Sequence, residues 1–225
     1  MMCGRFSRYV GPDSLEIRYN SRMNVPYSKS YNVAPSQELP ILSQNSPGEF
    51  KKAFWGYPAS FTEGKPIINA RAETLLEKSI FALAINANRC LIPATGFYEW
   101  KTLHTEKIPF HIKSSRMEII SFAGIVVKDE ILKKDYAIII TTTPSEQMAE
   151  IHERMPVILN QRAEREWLNQ EAPIRNLIQL LIPYADHLDI QEVSTRINSP
   201  QNDDPQVLIK ETSKKKMMDD FFSTS

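Results

Sequence analysis

Apolar positions along this chain recur mostly with a period of two or in short unbroken runs, the pattern of strands buried on one face or on both. Such runs fall at 39–42, 50–55, 90–92, 96–100, 108–112, 119–127, 136–142, 156–159 and 188–193. Helical spacing is rarer. Residues 72–86 place Leu75, Leu76, Ile80, Leu83 and Ala84 at intervals that suit one or two helices. Asp13-Ser14-Leu15-Glu16, behind Pro12, has the spacing of a capping box. Thr143-Pro144-Ser145-Glu146 predicts a helix capped by Thr143 that runs to about residue 150. Residues 162–168 and 173–182 predict two more.

Glycine is scarce, at 7, while proline is common, at 15, so turns set by proline replace a meander of tight glycine hairpins. No repeat or low-complexity linker divides the chain. The pattern predicts a single α+β domain over residues 1–210, with a mostly antiparallel, barrel-like β-sheet core and flanking helices. Residues 211–225, with a lysine run at 214–216 followed by Asp219-Asp220, read as a frayed tail. Two long connections, 21–38 and 56–67, carry few strand or helix signals, and loops of that length in a compact domain are often functional.

Composition narrows the classes. Hydrophobic residues make up 42% and charged residues 24%, which excludes wholesale disorder. No apolar run approaches the roughly 20 residues of a membrane-spanning helix. Charge balances at 27 basic and 27 acidic residues, which argues against coating nucleic acid by bulk electrostatics. Residues 1–101 nevertheless carry 12 basic and 8 acidic side chains, so a local basic groove there stays open. Arg5 and Arg8 stand where a signal peptide needs its apolar stretch, and a cytoplasmic protein is expected. Two cysteines are too few for a disulfide framework or a cysteine-built zinc site. Metal-ligand spacing and a glycine-rich phosphate loop are both missing from the sequence, so neither a metal nor a cofactor is expected.

Few residues offer chemistry. Cys3 lies beside the chain start. A terminal cysteine presents an amine and a thiol on adjacent carbons, both partly nucleophilic near neutral pH, and the pair can close a thiazolidine ring on an aldehyde. Glu99 sits in Gly96-Phe97-Tyr98-Glu99-Trp100, where alternation pairs it with Phe97. If that face is inside, its carboxyl is a buried acid with a raised pKa. His152 follows the capped helix in Ile151-His152-Glu153-Arg154-Met155-Pro156. Asn69-Ala70-Arg71-Ala72-Glu73-Thr74 groups an amide and a guanidinium suited to a phosphate or a sugar hydroxyl. Asn32-Val33-Ala34-Pro35 and Phe54-Trp55-Gly56-Tyr57-Pro58 place apolar and aromatic groups in loops that suit stacking on bases. Each has an ordinary role as well: Cys3 in a first strand, Glu99 facing water, His152 satisfying a carbonyl, Trp55 as a core anchor.

Taken together, these segments resemble the SRAP family, named for SOS-response-associated peptidases. The matching stretches are Cys3-Gly4-Arg5-Phe6, Tyr31-Asn32-Val33-Ala34-Pro35, Trp55-Gly56, Asn69 to Thr74, Arg89-Cys90-Leu91-Ile92-Pro93 with Gly96 to Trp100, Phe122-Ala123-Gly124-Ile125, Thr141-Thr142 with Pro144, His152 to Pro156, and a late Val193-Ser194 with Asn198 and Asn202-Asp203. The resemblance implies a monomeric sensor of abasic sites in single-stranded DNA, associated with the nucleoid when bound, that cross-links to them through an N-terminal cysteine exposed by methionine removal. It also implies self-processing peptidase activity and makes a lyase activity possible. Carried over by motif, Cys3 is the nucleophile, Asn69, Glu99 and His152 support it, Arg5 and Arg71 hold phosphates, and Asn32, Pro35 and Trp55 line the DNA channel. One departure matters: the family begins Met-Cys, whereas Met1-Met2 precede Cys3 here. Two other readings stay open, a cysteine peptidase built from Cys3, His152 and Asn69, and a non-covalent single-strand binder.

Overall fold

A computed structural model describes residues 3–59 and 62–210. In chain order its elements are β1 (Arg5–Arg8), α1 (Pro12–Tyr19), β2 (Ser30–Val33), β3 (Glu38–Ser43), β4 (Phe50–Trp55), β5 (Asn69–Arg71), α2 (Ser79–Ala87), β6 (Arg89–Ala94), β7 (Gly96–Leu103), β8 (Glu106–Ser114), β9 (Ile120–Asp129), β10 (Lys134–Thr142), α3 (Glu146–Ala149), β11 (Met155–Pro156), β12 (Ile158–Leu159), α4 (Gln161–Leu168), α5 (Ile174–Gln179) and β13 (Leu188–Glu192). Strands β3, β4, β10, β9 and β6 pair in that order and β6 returns to β3, which closes a five-stranded barrel. Every pairing in it is antiparallel except β10 with β4. Short β5 continues parallel to β10 beyond β4, and β11 pairs with the end of β10. The second sheet is antiparallel throughout, in the order β13-β8-β7-β1-β2. The molecule is thus one α+β domain with a barrel core and flanking helices.

The unbroken apolar runs follow from burial on both faces of the barrel wall. Along β9, Ile120, Phe122 and Val126 join Ile92, Ala137 and Ile139 and meet Phe6, Phe97 and Ile112 from the second sheet. The alternate residues, Ile125 and Val127, join Ile138 and Ile140 and meet the helices through Phe81, Ile85, Trp167 and Leu177. Helices α1, α2, α4 and α5 therefore coat the outside of the barrel, while the second sheet and Met148 of α3 close on its interior. Buried Arg89 ties two helices down: its guanidinium donates to the carbonyls of Ile85 and Asn86 at the end of α2 and to those of Trp167 and Asn169 at the end of α4. Turns at Thr195–Asn198 and Pro205–Leu208 cover the outer face of the second sheet, with Ile197 and Val207 packed on Tyr98.

Several boundaries depart from the sequence pattern. The first helix starts at Pro12 with Gly11 at the cap position, because proline is preorganised for the first helical position, and Asp13 falls in the first turn. Ser145, not Thr143, occupies the cap position of α3. Residues 72–86 resolve into a 3-10 turn and α2. Segment 30–33 is a strand inside the 21–38 connection, and 69–71 is a strand just after the 56–67 connection. Both are too short and polar to show periodicity, and cross-strand pairing makes them. Residues 211–225, read as a tail, lie outside the described residues.

Trp55 and Gly56 anchor the barrel. Trp55 is fully buried, and its indole N–H donates to the Ile68 carbonyl at 3.2 Å. Gly56 has φ +103°, and a Cβ there would lie 2.8 Å from Ile68.

Gly96 makes room for His111, whose Nε2 would lie 2.4 Å from a Cβ at that position. His111 is buried against Tyr98, and its Nε2 shares a 2.9 Å hydrogen bond with the Ser7 hydroxyl. Burial lowers its pKa to about 4, helped by the charge of Lys113. The unfolded chain, whose histidine titrates near 6.5, binds the proton first, so this group's stabilisation is complete above pH 6.5 and is lost as the pH falls towards 4. The expected loss is about 3 kcal/mol. Denaturant unfolding at neutral and acidic pH should show that slope, and His111→Gln should flatten it.

Candidate active site

The start of β1 crosses β7 so that Arg5 lies opposite Tyr98. Continued, that register would set Cys3 opposite Trp100. Instead the backbone at Cys3 enters the left-handed region, φ 39°, and leaves the ladder. Its N–H donates to Glu99 Oε1 at 2.5 Å. Glu99 is 1% exposed, on the Phe97 face of β7, as alternation predicts. Tyr98, on the other face, is buried under the C-terminal turns and not exposed to solvent. Burial raises the Glu99 carboxyl, opposed by its hydrogen bonds from Cys3 and by the charge of His152. Burial and then the Glu99 charge push the Cys3 thiol well above its ordinary value, while Arg154 pulls the other way.

His152 follows α3, with its side chain 20% exposed and Nε2 3.9 Å from Glu99 Oε2. The backbone N–H of Arg154 donates to His152 Nδ1 at 3.1 Å. A nitrogen that accepts cannot carry the proton in the neutral ring, so Nε2 bears it and faces Glu99. Cys3, Glu99 and His152, up to 149 positions apart in the chain, therefore converge on one place.

A cleft of about 410 Å³ opens from this cluster, lined by Gly4, Arg5, Glu99, Trp100, Thr102, Lys107, His152 and Asn198. Thr102 and Lys107 are partners across the β7–β8 hairpin. Arg5 commits three of its five N–H groups to the protein, to Asn32 Oδ1 and the Ile197 carbonyl at 2.7 Å and to the Asn198 carbonyl at 3.2 Å. Asn198 Oδ1 in turn accepts from the Trp100 indole at 2.8 Å.

The other sequence candidates separate. Asn69 and Arg71 line a second cavity, of about 340 Å³, with Thr74 and Lys78. Asn32, expected to line a channel, is fully buried in β2 and donates to the carbonyls of Ser199 and Asn202. Trp55, expected there too, is a core residue. Both side chains are fully buried, and neither is among the residues that line the cleft. Pro35 lies half-buried in the turn after β2. Trp100, Thr102 and Lys107 escaped the sequence reading, because they line the cleft only once the 96–100 and 108–112 runs are joined as a hairpin. Among the described residues no group of three or more His, Cys, Asp or Glu side chains could hold a metal ion.

The sequence profile of the SOS response associated peptidase (SRAP) family matches residues 2–200. The abasic site processing protein YoqW of Bacillus subtilis is 40% identical, over 92% of this chain and 99% of its own. The abasic site processing protein YedK of Escherichia coli is 31% identical over 76% and 81%. A crystal structure of a protein from Bacteroides thetaiotaomicron superposes with a TM-score of 0.83 at 28% identity, covering 93% of this chain and all of that one.

Proposed function

Since the chain belongs to the SOS response associated peptidase family, we propose that it processes abasic sites in single-stranded DNA by trapping them as a thiazolidine on Cys3. The observation that carries this reading is the 2.5 Å contact between the Cys3 nitrogen and Glu99. A peptide nitrogen is not a nucleophile. Once Met1 and Met2, which lie outside the described residues, are removed, the same atom is an amine facing a buried carboxylate.

The chemistry balances. Glu99 first takes a proton from the Cys3 ammonium. The abasic sugar opens when C1′–O4′ breaks: Glu99 passes that proton to O4′ and takes up the C1′ hydroxyl proton, while the His152 Nε2–H donates a hydrogen bond to O4′. The freed amine then attacks the C1′ aldehyde. Loss of water leaves an imine. The thiol sulfur adds to C1′ while its proton moves to the imine nitrogen, closing the ring. A thiol kept protonated by burial suits this last step. It does not suit a cysteine peptidase, whose nucleophile needs a depressed pKa, and this favours the abasic-site reading over the peptidase one. In this reading Asn69 is assigned a sugar hydroxyl, and Arg71 with Lys78, which line the same cavity, a flanking phosphate. Arg5 has two N–H groups left for another.

Mixing the protein with a uracil-excised oligonucleotide and running a denaturing gel tests the proposal. A shifted band that appears only with the abasic strand supports it, and its absence refutes it. Lys107, at the outer end of the cleft, is assigned a phosphate of the undamaged strand. Lys107→Ala should weaken binding of an intact single strand and flatten the dependence of log affinity on log salt by about 0.7, the slope of one phosphate contact. An unchanged slope in fluorescence-anisotropy titrations refutes that assignment.

A further inference from the structure

The Arg154 guanidinium is held almost out of water, and its side chain is about 10% exposed. Its Nη1 and Nη2 donate to the two Glu73 carboxylate oxygens at 2.6 and 2.8 Å, a bidentate pair, and Nη2 also donates to the Thr141 carbonyl at 2.8 Å. Glu73 belongs to the 3-10 turn that follows β5, so the pair joins the Asn69–Arg71 wall to the His152 loop. The backbone N–H of the same arginine is the donor on His152 Nδ1. We infer that Glu73 is a positioning residue for His152: by fixing Arg154 it holds the imidazole in its Nε2–H tautomer, with that proton aimed at Glu99.

The physical reason is the cost of a buried cation. Without Glu73, Arg154 keeps only the carbonyl and hydroxyl of Thr141, both neutral, and the guanidinium turns towards solvent. That movement draws its backbone N–H off Nδ1, and nothing then prevents the proton from residing on Nδ1, where it cannot reach the reacting sugar. Glu73 touches no reacting atom in this scheme. Pairing of Met155 with Thr142 is the rival support for the loop. If it alone suffices, Glu73 is dispensable.

The inference rests on the proposed role of His152 only for its effect on rate. Ring ¹⁵N NMR of histidine-labelled protein, without DNA and at a pH where the imidazole is neutral, reads the tautomer directly, with His152→Asn assigning the signal. In the wild type Nε2 should carry the proton. In Glu73→Ala both tautomers should be populated, and cross-linking to an abasic oligonucleotide should slow about tenfold, with Glu73→Gln in between. Because the Glu73 side chain is 45% exposed, both variants are expected to fold. An unaltered His152 pattern in both variants overturns the inference. A wild type that traps no abasic strand overturns the proposed function instead, and the NMR result still decides the role of Glu73.

Discussion

Cys3→Ser should abolish the complex that survives denaturation. A terminal serine keeps the amine, so the imine still forms, but its hydroxyl does not close the ring, and the imine hydrolyses when the protein unfolds. The yield of heat-stable adduct is expected to fall by about a hundredfold or more. Borohydride, which reduces an imine to an amine, should recover much of it from Cys3→Ser. Intact-mass analysis of the wild type belongs in the same experiment. The active species should begin at Cys3, and a fraction that retains Met2 should not cross-link, because its Cys3 nitrogen remains an amide. Equal trapping by wild type and Cys3→Ser without borohydride would falsify the ring chemistry. Intact binding together with no adduct from either would leave the non-covalent reading in possession.

Glu99→Gln should separate activity from stability. The amide retains an oxygen for the Cys3 N–H but accepts no proton, so cross-linking should slow by about a hundredfold to ten-thousandfold. Stability should move the other way. Burial raises the Glu99 pKa above its unfolded value. Whatever stability the protonated carboxyl contributes is present below the unfolded pKa and is lost as the pH rises through the folded one. Above that point the native state carries a buried negative charge, which glutamine removes. Glu99→Gln should therefore melt a few degrees higher than wild type at pH 8, with the gap narrowing as the pH is lowered. A variant that is both slow and less stable at pH 8 would show that the charge is fully compensated in the native state.

Much of the fold was legible because burial on both faces of a barrel wall leaves long apolar runs, such as 119–127 and 136–142, that few other elements produce. Helices α4 and α5 were equally readable from their spacing. Strands β2 and β5 were not. They are three or four residues long, contain Asn32 and Asn69, and exist through pairing with distant strands. The same gap hid the burial of Asn32, which reads as a loop residue until β2 pairs with β1. Trp55 ends the 50–55 run, and only the closed barrel shows that its indole is fully buried.

That Glu99 shares a face with Phe97 came from alternation along one strand, a local property of the polypeptide, and the family came from the order of short motifs from Cys3 to Asp203. Both are properties of residue identity and spacing, and the chain alone determined them. Which of those motif residues meet is a matter of tertiary structure. Closure of β7 against β1 carries Glu99 to the Cys3 nitrogen, and the ion pair between Glu73 and Arg154 spans 81 positions to orient His152. Contacts of that range depend on sheet register and on the desolvation of charged groups, quantities that exist only after the barrel has closed.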